Sequence, residues 1–223
     1  YRVLLVLYLI IEAVVQINNI SNSVVYPKYN PTYTGIEWLL GAHLSLFSLV
    51  VLLFTAFYVN GDFVCHTFYS SLLCGIPRKN VFWAKIIAVI AGVVPLMLVS
   101  SLTGTVLWSL HAGFGMEFGA EVVFLIAKAF ARQFLVSLLL VSNGVFFAVI
   151  AKSGIGTFGW SFGSLYVLSV LQGNIDRIIP VPVFRDILLF LLSLFYINLG
   201  TLLASILLKL LVARAIFAKW DLK

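Results

Sequence analysis

The chain has 223 residues, 62% of them hydrophobic and only 10% charged, with a net charge of +6 and a mean hydropathy of +1.12. An ordinary soluble domain is about 25% charged, so a soluble globule is excluded, and basic residues spread this thinly offer no continuous track for a nucleic-acid backbone. At about 20 apolar residues per bilayer crossing there is room for roughly five to seven crossings and no sizeable extramembrane domain, so residues 1–223 read as a single membrane domain.

The first apolar run, residues 1–17, has neither an initiator Met nor a small-residue cleavage site, and reads as a first span whose cytoplasmic N-terminal tail is missing. Residues 18–35, with Asn18, Asn19, Ser21, Asn22, Pro27, Pro31 and Gly35, read as a polar turn-rich loop. A second span covers residues 38–59 and ends at Asn60-Gly61-Asp62; a third covers 81–107, long enough to tilt or to bend at Pro95. The fourth helical run, 122–152, is too long for one untilted crossing and carries Lys128 and Arg132 in its first turns, with Glu117 and Glu121 at hand to neutralise them. The fifth, 155–171, is short and glycine-rich; Pro180 and Pro182 then separate it from a sixth, 187–208. The predicted fold is all-α, a polytopic bundle of about six transmembrane helices.

Charge sets the orientation. With the N-terminus inside, nine basic residues (Arg2, Arg78, Lys79, Lys85, Lys152, Lys209, Arg214, Lys219, Lys223) face the cytoplasm and five (Lys28, Lys128, Arg132, Arg177, Arg185) face outward. Both termini are therefore expected in the cytoplasm. Cys65 and Cys74 then lie on the inner side as reduced thiols, without the close paired spacing of a zinc site.

Residues 62–76 are neither a short turn nor a crossing. On a helical wheel Val64, Cys65, Phe68 and Leu72 fall on one face and Asp62, His66 and Ser70 on another, the pattern of an interfacial amphipathic helix. Asn60 or Asp62 can cap its start, and Gly75 and Pro77 stop it before Arg78-Lys79. The plain alternative is a surface helix that anchors a loop.

Gly61-Asp62-Phe63, followed by Thr67, Leu72-Leu73, Gly75, Arg78-Lys79 and Lys85, resembles the segment after the second membrane helix of type-2 ABC transporter permeases, and the six-span plan with both termini inside is similar to that family across the whole chain. The small bacterial permeases of peptide-antibiotic export and immunity are the nearest in character. The resemblance implies that this segment is a cytoplasmic coupling helix, with Asp62, Phe63, His66, Thr67, Phe68, Leu72, Gly75, Arg78 and Lys79 in the groove of a separate ABC ATPase dimer. It implies a second permease copy or a sister permease as partner, ATP and magnesium on the partner subunit with no cofactor on this chain, and a bacterial cytoplasmic membrane location. It also implies short re-entrant helices in the connection that holds Asp176, Arg177, Arg185 and Asp186.

Consistent with borrowed energy, Gly154-Ile155-Gly156-Thr157-Phe158-Gly159-Trp160-Ser161 has the glycines and serine of a phosphate-binding loop but Trp160 where the lysine belongs. Gly156, Gly159 and Gly163 read instead as a small face for close helix packing, within the bundle or at a subunit interface. Ionisable and amide groups at membrane depth are function candidates: Glu12 and Gln16, one turn apart on span one, His43 in span two and Asn143 in span four are the candidate substrate pathway, and Asn198 in span six is a further buried amide. Glu12 and Glu37 would tolerate a cationic amphipathic peptide. No catalytic constellation occurs, since His43, His66 and His111 fall on different sides of the membrane. An ATP-driven permease is the expected function; an ion-coupled transporter or channel, or a structural membrane subunit, is the alternative.

Overall fold

The computed structural model describes residues 2–25, 32–41, 45–64, 75–117, 119–178 and 199–218, and every regular element among them is a helix. In chain order these are α1 (Arg2–Val25), α2 (Gly35–Gly41), α3 (Ser45–Val64), α4 (Arg78–Ala112), α5 (Ala120–Ala151), α6 (Gly154–Ile178) and α7 (Leu199–Ala218). Three are long and apolar enough to cross a membrane: the 21 residues Leu5–Val25 of α1, the 35 of α4 and the 32 of α5. A shorter apolar stretch, Leu46–Gly61, lies in α3. At 1.5 Å per residue α4 is about 52 Å long, well beyond a hydrocarbon core of about 30 Å. Val3, Leu110, Phe124 and Ile155 are among many large apolar side chains left exposed, a surface that would aggregate in water and is consistent with a lipid surrounding.

Several boundaries differ from those the sequence predicts, each for a local reason. Residues 18–25, expected in a loop, continue α1. They contain no Gly or Pro, and Ser23 Oγ donates back to the Ile20 carbonyl at 2.8 Å, which keeps a polar side chain compatible with the helix. The second span does not start at Trp38; the short α2 comes first and α3 begins at Ser45. Thr34-Gly35-Ile36-Glu37 starts α2 as a capping box: Thr34 Oγ1 accepts from the Glu37 N–H at 3.4 Å, and Glu37 Oε2 accepts from the Thr34 N–H and hydroxyl at 2.9 Å each. Tyr33 and Trp38 pack edge to face across it, ring centroids 5.9 Å apart, as a hydrophobic staple.

α4 runs through Pro95, and α6 runs on past Gly173 to Ile178. An interior glycine costs about 1 kcal/mol relative to alanine without ending a helix. α7 continues to Ala218, beyond the predicted end at Leu208; residues 187–198 of the predicted sixth span lie outside the described residues. Lys152 and Ser153 alone connect α5 to α6. Lys152 takes a left-handed conformation (φ 52°) with its N–H on the Ala148 carbonyl, and Ser153 Oγ caps α6 by accepting from the Gly156 N–H at 3.1 Å.

The residues group into two units, Tyr1–Ser48 with Ala91–Ser137, and Leu49–Ile90 with Leu138–Lys223. In the first, α2 is secured at both ends. The Gly35 and Ile36 N–H groups donate to the Gly113 and Phe114 carbonyls at 3.1 Å, and Arg132 Nη1 donates to the Leu40 carbonyl at 3.2 Å, a cation at the negative end of the helix. Trp38 stacks on Trp108 at 5.7 Å. That approach requires Gly104, where a Cβ would collide with the Trp38 indole.

In the second unit Val51, Leu52 and Ala56 of α3, Val89 of α4 and Val145 and Val149 of α5 are buried. Gly144 lets Thr55 approach, since a Cβ there would stand 2.7 Å from Thr55 Cγ2. Arg78 Nη1 donates to the Ala218 carbonyl at 3.3 Å, so the start of α4 adjoins the end of α7. The glycine face of α6 does not pack within the described residues: a Cβ at Gly159 or Gly163 would meet nothing within 4 Å, and at Gly156 only Ser153 and Ala151 of the adjoining turn.

Candidate functional site

Buried polar residues form a cluster in each unit. In the first, Tyr8, Glu12 and Gln16 recur every fourth residue along α1 and so share a face; each is 3% exposed. Gln16 Nε2 donates to Glu12 Oε1 at 2.8 Å, while Gln16 Oε1 accepts from Trp108 Nε1 at 3.4 Å. The indole can only donate, which fixes the orientation of the amide. Ser100 Oγ of α4 donates to the same Glu12 Oε1 at 3.4 Å. The buried Tyr8 hydroxyl adjoins the Glu12 carboxyl and Ser100, so the three side chains form one polar group. In the same unit the single Ser101 hydroxyl proton is shared between two acceptors, Gln133 Oε1 at 2.6 Å and the Met97 carbonyl at 2.8 Å.

In the second unit Asn60 Nδ2 donates to the Ala56 carbonyl and to Thr157 Oγ1, both at 2.8 Å. Asn143 joins three helices: its Nδ2 donates to the Ser161 carbonyl (3.3 Å) and Ser164 Oγ (3.2 Å) of α6, and its Oδ1 accepts from Lys209 Nζ of α7 at 3.1 Å. Thr55 Oγ1, Asn60 Oδ1 and Ser161 Oγ are buried without partners. Lys85 Nζ sits 4.5 Å from the centroid of the Tyr58 ring, a cation–π contact.

Of the predicted pathway residues, Glu12 and Gln16 therefore meet, Asn143 belongs to the other unit, and His43 lies outside the described residues. Among the predicted coupling residues, Asp62 and Phe63 lie in the last turn of α3, Gly75 turns the chain at φ +80°, Arg78 reaches Ala218, and Lys79 is exposed. His66, Thr67, Phe68 and Leu72, like Cys65, Cys74 and Asn198, lie outside the described residues. Lys128 and Arg132 pair with neither Glu117 nor Glu121; Arg132 caps α2 instead and Lys128 is exposed. Sequence reasoning missed Tyr8, Ser100, Trp108 and Gln133 in one cluster and Thr157 and Lys209 in the other. The fourfold spacings Tyr8-Glu12-Gln16, Gln133-Ser137 and Thr157-Ser161 were the available signal.

Outside the spans, the exposed Glu37 carboxyl is held below the ordinary carboxylate range by the Thr34 N–H and hydroxyl. Among the described residues no three or more His, Cys, Asp and Glu side chains come together to hold a metal ion. The described part of the chain is thus an all-helical, apolar scaffold, consistent with a membrane protein, with polar groups buried inside each unit. No family model, curated protein or solved structure matches the chain.

Proposed function

We propose that the chain is the membrane-spanning permease subunit of an ATP-driven exporter in a bacterial cytoplasmic membrane, with about six crossings and both termini in the cytoplasm. It works as a pair with a second copy or a sister permease, driven by a separate ABC ATPase dimer that carries ATP and magnesium. The observation that carries this reading is the amphipathic stretch 62–76 between two apolar helices, opening in the last turn of α3 and closing at Gly75 and Pro77 ahead of Arg78 and Lys79. The Arg78–Ala218 hydrogen bond is in keeping with the start of α4 and the end of α7 lying on the same side of the membrane.

In this mechanism the ATPase groove holds residues 62–76 as a coupling helix, and dimerisation of the ATPase displaces it. α3 and α4 flank it and carry the displacement into the membrane as rods. A cleft between the two permeases then changes its exposure, and amphipathic peptides or other hydrophobic compounds are the cargo that suits an apolar path with few charges.

Phe68→Asp and Leu72→Asp test it. Both variants are expected to fold and to lose co-purification with the ATPase; unaltered association, or the absence of any ATPase partner, overturns the proposal. A second reading, ion-coupled transport, is favoured by one feature, the buried Glu12 carboxyl. Transport that survives ATP depletion and follows an ion gradient would decide for it.

A further inference from the structure

Every charged side chain described in the second unit is basic: Arg78, Lys79, Lys85, Lys152, Lys209 and Arg214. In the first unit the exposed charges are mixed, with Glu37, Glu117 and Glu121 beside Lys128 and Arg132. The basic groups of the second unit are also gathered in space. One hollow is lined by Val59 of α3, Phe82 and Lys85 of α4, Val149 of α5 and Phe217 of α7, so the ends of α3, α5 and α7 meet the start of α4. Arg78 Nη1 on the Ala218 carbonyl, and Phe82 against Phe217 with ring centroids 5.5 Å apart, tie α4 to α7 there. Lys152 stands in the reversal after Val149, and Arg214 lies one turn before Ala218. Lys209 lies deeper, its ammonium on Asn143 Oδ1. Asp62, in the last turn of α3, is the one acid that the sequence puts on these helix ends among the described residues.

Aromatic side chains mark the level of this rim. Tyr58 is 39% exposed and carries the Lys85 ammonium on its ring; Trp160, 66% exposed, stacks on Phe147. At 1.5 Å per residue Trp160 lies about 9 Å along α6 from Gly154, and Lys85 about 10 Å along α4 from Arg78. Exposed Tyr and Trp rings just inside a rim of positive charge are the arrangement that suits a headgroup layer, apolar on one side and wet on the other. An acidic protein would meet the rim from water and leave Lys85, among the apolar helices, uncovered. Lipid phosphate reaches both.

We propose that this end of the second unit is a docking surface for phospholipids of net negative charge, whose headgroup phosphates lie against Arg78, Lys79, Lys85, Lys152 and Arg214. The proposal requires the chain to lie in a bilayer and holds whether or not an ATPase drives it.

The test is tryptophan quenching by lipids brominated in their acyl chains, with the full chain reconstituted in phosphatidylcholine vesicles into which brominated phosphatidylglycerol or brominated phosphatidylcholine is titrated. Trp38 and Trp108 are buried, so among the described tryptophans the quenching reports on Trp83 and Trp160, at this end. The anionic lipid is expected to bind about five times more tightly than its zwitterionic counterpart, the worth of one basic side chain at a charged surface, and the preference should fade in about 1 M salt. Lys79→Gln combined with Arg214→Gln, which leaves the Arg78–Ala218 bond in place, should bring the ratio below about two, whereas Lys128→Gln in the first unit should leave it at about five. Equal binding of the two lipids by the wild-type chain overturns the proposal and leaves the rim to an acidic protein. A preference unchanged in the double variant overturns the assignment to this end, and one abolished by inorganic phosphate at equal ionic strength replaces the lipid with a free anion. Should the double variant not fold, the exposed Lys79→Gln alone decides: a lowered ratio supports the surface and an unchanged one refutes it.

Discussion

Asn60 of α3 donates its side-chain amide to the hydroxyl of Thr157 of α6 at 2.8 Å, across 97 positions of sequence. Both residues are 1% exposed or less, so the bond replaces no contact with water that either could regain. Thr157→Val and Asn60→Ala should each destabilise the chain, and the double-mutant cycle should return a coupling of about 0.6 kcal/mol, the average for interhelical hydrogen bonds in membranes, and no more than about 1.7 kcal/mol. Unfolding equilibria in mixed micelles measure it; zero coupling would mean that the two groups act independently.

Gly104 and Gly159 should respond oppositely to alanine. At Gly104 a Cβ runs into the Trp38 indole, and overpacking of this kind costs about 1–3 kcal/mol. At Gly159 a Cβ meets nothing within 4 Å, so the helix gains up to about 1 kcal/mol from alanine. Melting temperatures of the two variants should therefore move in opposite directions. Loss of stability in Gly159→Ala would mean that another surface covers this face.

Asn143 and Lys209 predict a pattern of non-additivity. Asn143→Leu removes the acceptor of the Lys209 ammonium, and Lys209→Met leaves Asn143 Oδ1 without its donor. Leaving a buried polar group unmet costs about 1–3 kcal/mol, more when it is charged, so Asn143→Leu should be the more damaging single change. The double variant should be more stable than Asn143→Leu alone; chemical denaturation of the three proteins tests the order.

Acid should loosen α2. The Glu37 carboxyl is held below its ordinary range by Thr34, so its contribution to the folded state is complete above the ordinary carboxylate value and is lost as pH falls through the depressed one. Fluorescence of Trp38, which stacks on Trp108, should change over that acidic window. Glu37→Gln should flatten the change, and an identical acid limb in the variant would separate α2 docking from the capping box.

The long apolar helices were legible because hydropathy alone specifies them: the third predicted span lies inside α4, and the fourth lies inside α5 but for Lys152. The amide of Asn143 was expected inside the bundle, and it is hydrogen-bonded there. What composition obscured were the ends. Asn and Ser lower helix propensity by only tenths of a kcal/mol each, which did not stop α1 at Asn18, and α2 depends on reading Thr34 and Glu37 as a reciprocal pair instead of as loop polarity. Glu12 and Gln16 were visible as a one-turn pair. Ser100 and Trp108 were not, because their part depends on which face of α4 meets α1, and that contact has no signature in local sequence.

The Lys152–Ser153 reversal has a consequence for how the chain is made. With Lys152 and Ser153 alone between them, α5 and α6 are antiparallel neighbours from the outset, a link this short leaving them no separate choice of direction. On the six-crossing proposal they insert as one hairpin with the Lys152 charge at its tip. Since positive charge beside a span end biases which side that end stays on, a substitution at Lys152 acts on the orientation of both helices at once.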